Sequence, residues 1–316
     1  MPCRGGRGVA VRANWIRRGL LLLLTGLVAL GLAACGDSDG GGDAGGTLRI
    51  GAIPDQDPEV LQRQFGLVSD YLAEELGVDV EYVPVTDYQS AVSGFAVGDL
   101  DLVWFGGLTG VQARLEVDGA AALVQRDIDA QFTSVFIAGT DVDIEPFSDV
   151  AGLAAIAGRS LTFGSESSTS GRLMPQSFLT QAGIDINSDI TGEVGFSGSH
   201  DATIEVVEAG TFEVGALNSQ LWDSRMADGI VDSGRVVEVF RTPPYYDYHW
   251  VGQPDLDERF GNDFTASVVE AFTSLDASTP DHEEILGLFG AGAFIETVNG
   301  NYDAIEAVAR DIGAIR

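Results

Sequence analysis

The sequence predicts an α/β protein built from two lobes that are joined by a hinge. Short apolar segments alternate with amphipathic helices along most of the chain, a pattern typical of sheets covered by helices. This alternation restarts after residue 138, which indicates a second sheet. The chain has 316 residues, of which 45% are hydrophobic. It is therefore long enough to bury two cores.

The first 34 residues have the pattern of a bacterial signal peptide. Five arginines precede the apolar run Leu20–Leu30, and small residues follow it. Leu32–Cys35 resembles the lipobox of lipoproteins, in which the cysteine becomes the lipidated first residue. We expect residues 35–46 to be the lipidated Cys35 and a flexible tether that holds the protein outside the cytoplasm at the cell membrane. An ordinary signal peptide with an incidental cysteine is the alternative.

The mature chain is expected to be strongly acidic. The full sequence has 17 basic and 48 acidic residues and a net charge of −31, and none of its basic residues is a lysine. Loss of the five arginines before Cys35 leaves 12 − 48 = −36. This balance argues against a nucleic-acid partner, and the missing lysine excludes a P-loop and Schiff-base chemistry. A bound anion must be held by local dipoles and hydrogen bonds.

The first part of lobe 1 is expected to span residues 47–138. Strands are predicted at 47–54, 78–85 and 100–105. Asp57 and Pro58 begin the first helix and Gly77 ends it. The pair Thr86 and Gln89 predicts a capping box for the second helix. A third helix is predicted after the third strand, through Arg114.

Lobe 2 is expected to span residues 139–238, after a crossing strand at 132–138. Its predicted strands are 160–163, 192–196 and 214–217, and its predicted helices are 173–182 and 199–209. A strand at 235–240 precedes the return crossing. Residues 239–316 are expected to complete lobe 1, with helices around 263–275, 280–288 and 301–310.

A cluster of hydroxyl side chains occupies a junction between a strand and a helix in lobe 2. Residues 163–173 read FGSESSTSGRL. Ligands of α/β sheets bind at such junctions, where the first helical turn offers free N–H groups and a positive dipole end. Hydroxyl donors complete a site that suits a tetrahedral oxyanion and needs no lysine or arginine. A serine-rich N-cap without a ligand is the alternative.

The segment Ser168–Gly171 resembles the Ser-Thr-Ser-Gly motif of the phosphonate/phosphite-type substrate-binding proteins of ABC transporters. Other matching segments, in the family's order and spacing, are Asp87-Tyr88, Asp99–Gly106, Gly198–Ala202 and Pro243-Pro244. The resemblance covers most of the mature chain. It implies a type II periplasmic-binding-protein fold with a hinge, a permease partner, no cofactor and a monomer. Trp104–Gly110, Arg126–Gln131 and Pro243–Trp250 further resemble a branch described as selenate-binding.

The resemblance also implies which side chains hold the oxyanion. They are Tyr88, Trp104, Ser168, Thr169, Ser170, His200 and Asp201. Trp104 stands where the family often has tyrosine, and tryptophan can donate but cannot accept a hydrogen bond. His200 corresponds to the family's anion-contacting histidine. No acid of this chain matches those that bind an amino group in the family, which argues against an aminoalkylphosphonate.

Two orientations of Asp201 lead to different ligands. A carboxylate that faces the ligand favours an oxyanion that carries a proton, such as a phosphonate, phosphite or selenite. A carboxylate that caps the following helix leaves a site made of donors, which suits sulfate or selenate. In that case a protonated His200 would strengthen binding as the pH falls. We favour the first orientation.

Two other functional classes stay open. A hydrolase could use a serine of the cluster with His200, although Gly195–Ser199 lacks the final glycine of a nucleophile elbow. A lipid-anchored scaffold protein without transport function is the other class.

Several further residues have no clear role in the sequence. His249 and His282 lack ligand-like spacing, so no metal site is expected. Arg172 could reach the anion or lie at the surface. Tyr245 and Tyr246 could line the cleft or stiffen the return crossing.

Overall fold

The computed structural model describes residues 46–315, so the predicted signal peptide and Cys35 lie outside the described residues. Two mixed sheets, one of six strands and one of five, form the two lobes within this part of the chain. None of the helices between residues 46 and 315 combines the length and the hydrophobicity that a membrane span requires.

The sheet of lobe 1 has the strand order β11-β4-β10-β3-β1-β2. Its strands are β1 (Leu48–Ala52), β2 (Val80–Tyr82), β3 (Leu102–Phe105), β4 (Ala121–Arg126), β10 (His249–Gly252) and β11 (Phe294–Glu296). The sheet of lobe 2 has the order β7-β6-β8-β5-β9. Its strands are β5 (Ser134–Gly139), β6 (Leu161–Phe163), β7 (Gly195–Phe196), β8 (Val214–Asn218) and β9 (Val236–Arg241).

Helices cover both sheets. Those of lobe 1 are α1 (Pro58–Leu76), α2 (Tyr88–Ala96), α3 (Gly107–Glu116), α7 (Leu256–Phe260), α8 (Phe264–Ser274) and α9 (Pro280–Phe289). Those of lobe 2 are α4 (Met174–Gln181), α5 (His200–Glu208) and α6 (Ser219–Ala227). The last helix, α10 (Asp303–Ile312), packs on α3 and on α4 and so contacts both lobes.

The predicted caps of α1 are confirmed. The Asp57 carboxylate accepts a hydrogen bond from the N–H of Glu59, and Gly77 ends the helix with a φ of 66°, which favours glycine. The capping box predicted for α2 is wrong by one residue. Asp87, rather than Thr86, is the N-cap, and its Oδ1 accepts from the N–H of Ser90 at 2.7 Å.

Two antiparallel crossing segments connect the lobes. Phe132 and Tyr245 exchange two backbone hydrogen bonds of 2.9 Å between them. Strand β5 follows at once and pairs with β8 and β9 in the sheet of lobe 2. β5 begins at Ser134, before the expected boundary after residue 138, and an apolar crossing segment and a buried strand have the same residue pattern.

Candidate functional site

The hydroxyl cluster lies at the end of β6, as the sequence predicts. Ser168, Thr169 and Ser170 are all buried. The chain continues as a π-helical turn (Thr169–Leu173) that leads into α4, and Ser168 Oγ accepts from the Gly171 N–H at 2.9 Å. The cap takes the Gly171 N–H, and the N–H groups of Thr169 and Ser170 precede the first hydrogen bond within the helix.

A second helix start faces this turn from lobe 1. At the beginning of α3, the N–H of Leu108 donates to Thr169 Oγ1 and the N–H of Gly107 donates to Asp247 Oδ1, both at 2.9 Å. A Cβ atom on Gly106 would lie 3.1 Å from Thr169 Oγ1, so the close approach of the lobes favours glycine there. Two positive helix ends from opposite lobes thus converge on one place.

Tyr88 contributes an unsatisfied hydroxyl from the first turn of α2. Its side chain is 2% exposed, and its Oη lies beside Ser168 without a hydrogen-bond partner. Burial raises the pKa of Tyr88 well above its ordinary value of 10. The group is therefore a neutral phenol that can donate its proton.

Asp247, in the return crossing, is the residue that the sequence analysis missed. It is fully buried, and its Oδ2 has no partner although Oδ1 accepts from Gly107. Burial raises the pKa of Asp247 to about 7, while the Gly107 N–H and the Thr169 hydroxyl oppose that rise. One signal was present in the sequence, since Asp247 is an acid inside the aromatic run YYDYHW.

His200 belongs to a buried network at the floor of the site. The Asn218 N–H points to His200 Nδ1 at 3.4 Å, and His200 Nε2 lies 3.2 Å from Tyr248 Oη. Tyr248 in turn donates to Asp55 Oδ2 at 2.8 Å. Both ring nitrogens of His200 thus have protein partners.

Burial lowers the pKa of His200 to about 4 and raises that of Asp55 to about 6. His200 is therefore neutral at physiological pH. The expectation that its protonation would strengthen binding is not supported by this environment, because a buried imidazolium would lose its hydration.

Trp104 is buried in lobe 1, with 4% of its surface exposed. Its ring stacks on Tyr248 with centroids 5.6 Å apart and an angle of 17° between the planes. The guanidinium of Arg126, which is paired with the buried Asp129, lies 5.5 Å from the Trp104 ring and 4.8 Å from that of Tyr248. Trp104 thus packs against the ring of Tyr248, and the Tyr248 hydroxyl lies next to His200.

Asp201 has neither of its two expected orientations. Its oxygens accept from the Arg225 Nε at 2.7 Å, the Arg225 Nη2 at 3.2 Å and the Asp57 N–H at 3.1 Å. The cap of α5 is Ser199, whose Oγ accepts from the Ala202 N–H. Protein donors thus occupy three acceptor positions of this carboxylate, and the assignment of Asp201 as a ligand contact stays a prediction.

The aromatic and histidine residues whose roles the sequence did not indicate contact other protein side chains. Tyr245 Oη lies 2.6 Å from Ser134 Oγ in the hinge, and Tyr246 packs edge-on against Tyr302. His249 is buried and stacks on Tyr302 at 3.7 Å. His282 packs edge-on against Tyr71, far from the cluster in the chain. Within residues 46–315, no group of His, Cys, Asp and Glu side chains is arranged to hold a metal ion.

The geometry does not form the pair that a serine hydrolase needs. Ser168 Oγ accepts from Gly171, and Thr169 Oγ1 accepts from Leu108. The ring of His200 instead contacts Tyr248 and Asn218. In the described part of the chain, therefore, no hydroxyl of the cluster has His200 as its base.

The chain is similar in sequence to a family of known proteins. Residues 50–302 match the family described as ABC transporter, phosphonate, periplasmic substrate-binding protein. A probable ABC transporter phosphite-binding protein, PhnD1 of Prochlorococcus marinus (strain MIT 9301), is 45% identical over 269 residues, which cover 85% of this chain and 91% of that protein. A phosphate-import protein, PhnD of Mycolicibacterium smegmatis, is 28% identical over 208 residues, 62% of this chain and 63% of its own.

Solved structures have the same fold. The structure of Prochlorococcus PhnD1 in complex with methylphosphonate matches with a TM-score of 0.83, covering 85% of this chain and 99% of that one at 45% identity. A binding component of a phosphonate ABC transporter from Pseudomonas aeruginosa matches with a TM-score of 0.71 at 15% identity, over 83% of this chain and 85% of its own. The predicted two-lobed periplasmic-binding-protein fold is confirmed, and the chain belongs to the family of periplasmic substrate-binding proteins of phosphonate ABC transporters.

Proposed function

We propose that the protein captures a small phosphonate or phosphite oxyanion between its lobes and delivers it to the permease of an ABC importer. The observation that carries this proposal is a pair of buried oxygens without partners, Tyr88 Oη and Asp247 Oδ2, beside the helix start at Ser168–Ser170. A buried polar atom without a partner costs roughly 1–3 kcal/mol. A ligand that satisfies both atoms offsets that cost.

The donors and the acceptor together favour an oxyanion that carries one proton. The Ser168–Ser170 hydroxyls, the Tyr88 hydroxyl and the free first-turn N–H groups can donate to its oxygens. Asp247 Oδ2 then shares the remaining proton with the ligand, whether that proton comes from the ligand or from a carboxyl whose pKa is about 7. If the Asp247 carboxylate and the ligand were both fully ionised, their negative charges would repel each other in this buried site. Sulfate and selenate are therefore the weaker ligands.

The relatives support the same choice of ligand. One is named for phosphite and its structure contains methylphosphonate, while the other is named for phosphate. All three anions are tetrahedral phosphorus oxyanions with an ionisation that can hold a proton near neutral pH. Because three segments resemble a branch described as selenate-binding, the ligand panel must include selenate and selenite.

We further propose that Cys35 is lipidated and that the tether of residues 35–46 keeps the monomeric protein at the outer face of the cell membrane. The support is the Leu-Ala-Ala-Cys sequence after the apolar run. Cys35→Ser should release the protein from the membrane fraction. A variant that sediments with membranes as the wild type does would contradict the anchor and leave the binding proposal intact.

A ligand panel tests the binding function. Methylphosphonate or phosphite at 100 times its dissociation constant should stabilise the fold by about 2.7 kcal/mol, which corresponds to a rise of roughly 5–10 °C in melting temperature. Phosphate, selenite, selenate, sulfate and aminoethylphosphonate complete the panel, with calorimetry to measure each dissociation constant. Tight sulfate or selenate binding without phosphite or phosphonate binding would overturn the choice of ligand. An unchanged melting temperature with every anion would favour the scaffold class.

A further inference from the structure

The rim between the lobes carries a polar contact beside the candidate site. Asp57, the N-cap of α1 in lobe 1, donates its N–H to Asp201 Oδ2 of lobe 2 at 3.1 Å. Next to it, the N–H of His200 donates to the carbonyl of Asp55 at 3.0 Å. Two hydrogen bonds thus join the loop 55–57 to the first turn of α5.

Arg225 fixes the acceptor of this contact. Its Nε and Nη2 donate to the two oxygens of Asp201 at 2.7 and 3.2 Å. The side chains of Arg225 and Asp201 are only 14% and 20% exposed. Because both residues belong to lobe 2, this pair can form whether or not lobe 1 has approached. The carboxylate is therefore oriented in advance for the N–H of Asp57, and little rotamer freedom is lost when the lobes close.

The contact is not required for the local fold of α5. Ser199 already caps that helix through the Ala202 N–H, and Asp57 caps α1 with its own side chain. The hydrogen bond from the Asp57 N–H to the Asp201 carboxylate instead connects the two lobes. Its free energy therefore favours the closed arrangement alone.

We propose that Asp201, oriented by Arg225, is an interlobe latch that slows the release of the bound anion. This inference rests on the proposed function, because the latch acts on a ligand enclosed between the lobes. Association takes place with the open form, in which the bond to Asp57 is absent. Loss of the latch should thus change the dissociation rate and leave the association rate nearly constant.

The chain offers a matched control in Glu213. This carboxylate also accepts from a backbone N–H, that of Ser160 at 2.8 Å, and also pairs with an arginine, Arg159 at 3.3 Å. All three residues lie in lobe 2. Glu213→Ala therefore removes the same kind of interaction without a change at the interface between the lobes.

Stopped-flow fluorescence with phosphite and methylphosphonate tests the latch. Asp201→Ala should accelerate release about tenfold, as expected for a charge-assisted hydrogen bond that is partly screened, with an association rate within about twofold of the wild type. Arg225→Met keeps the apolar stem and should accelerate release by about threefold. Glu213→Ala should release both anions at the wild-type rate.

The two anions separate a latch from a contact with the substituent on phosphorus. A latch changes the release of phosphite and of methylphosphonate by the same factor, whereas a group that touches the hydrogen of phosphite or the methyl group of methylphosphonate changes them unequally. Wild-type release rates in Asp201→Ala, or factors that differ severalfold between the anions, would overturn the latch while the binding function stands. A wild-type protein that binds neither anion would instead overturn the proposed function and the latch with it.

Discussion

Two aspartates border the same site in different regions of the molecule. Asp201 lies on the rim between the lobes, and Asp247 lies in the return crossing on the hinge side. On the rim, Asp201 is 20% exposed and its oxygens accept from Arg225 and Asp57. In the return crossing, Asp247 is fully buried and one of its oxygens has no partner. Adjacency to the family-like His200 favoured Asp201 in the sequence, but hydrogen-bond partners and burial favour Asp247 as the group that meets the ligand.

The largest effect is expected from removal of the carboxylate in the return crossing. Asp247→Ala leaves the Gly107 N–H and the shared proton of the ligand without an acceptor. The Gly107 bond exists without the ligand, so the loss in affinity comes from the one charge-assisted hydrogen bond to methylphosphonate, about 1.5–3 kcal/mol or up to roughly a hundredfold. Titration calorimetry measures this loss, with the exposed Asp223→Ala as the control. Affinity within a factor of three of the wild type would place Asp247 outside the site.

The next largest effect concerns the hydroxyl cluster. Thr169→Ala combined with Ser170→Ala removes two donors and should weaken binding by at least tenfold. The unliganded melting temperature should fall by only a few degrees, since the Leu108 N–H loses its acceptor Thr169 Oγ1 while Ser168 still caps the turn that precedes α4. A large loss of thermal stability with unchanged affinity would mean that the cluster serves only as a cap.

A small effect is expected at the rim. Asn at position 201 keeps an oxygen that can accept from the Asp57 N–H but weakens the pair with Arg225. Asp201→Asn should therefore weaken binding only about threefold, through faster release. Equilibrium titration beside Asp247→Ala checks this ranking. A hundredfold loss in Asp201→Asn would reverse the comparison between the two acids.

Much of the fold could be predicted from local signals. Asp57 and Gly77 define α1 by capping chemistry that depends on a few neighbouring residues. Strands β4, β10 and β11 were not predicted. β10 reads HWVG and lies antiparallel between β3 and β4, so its identity as a strand depends on partners more than 120 residues away in the chain.

The candidate site was predictable only in part. The cluster Ser168–Ser170 and Tyr88, which the resemblance names as ligand contacts, are buried, and Tyr88 lies beside Ser168. Asp247 and Asp55 were missed because their roles depend on burial and on which donors remain free. Neither burial nor the set of free donors can be predicted from the residue types of one segment. The orientation of Asp201 could not be predicted for the same reason, since its partners Arg225 and Asp57 are distant in sequence.

The measurement that tests the central claim most directly is the pH dependence of methylphosphonate affinity in the wild type, Asp247→Asn and Asp201→Asn. The pKa of Asp247 is raised to about 7, and a bound anion raises it further, so the complex holds a proton that the free groups lose as the pH rises. Wild-type affinity should fall up to tenfold per pH unit above about pH 7. Asp201→Asn should keep this fall, whereas Asp247→Asn, whose amide is a permanent donor, should show at most a weak dependence. A pH profile that Asp201→Asn flattens and Asp247→Asn preserves would contradict the account.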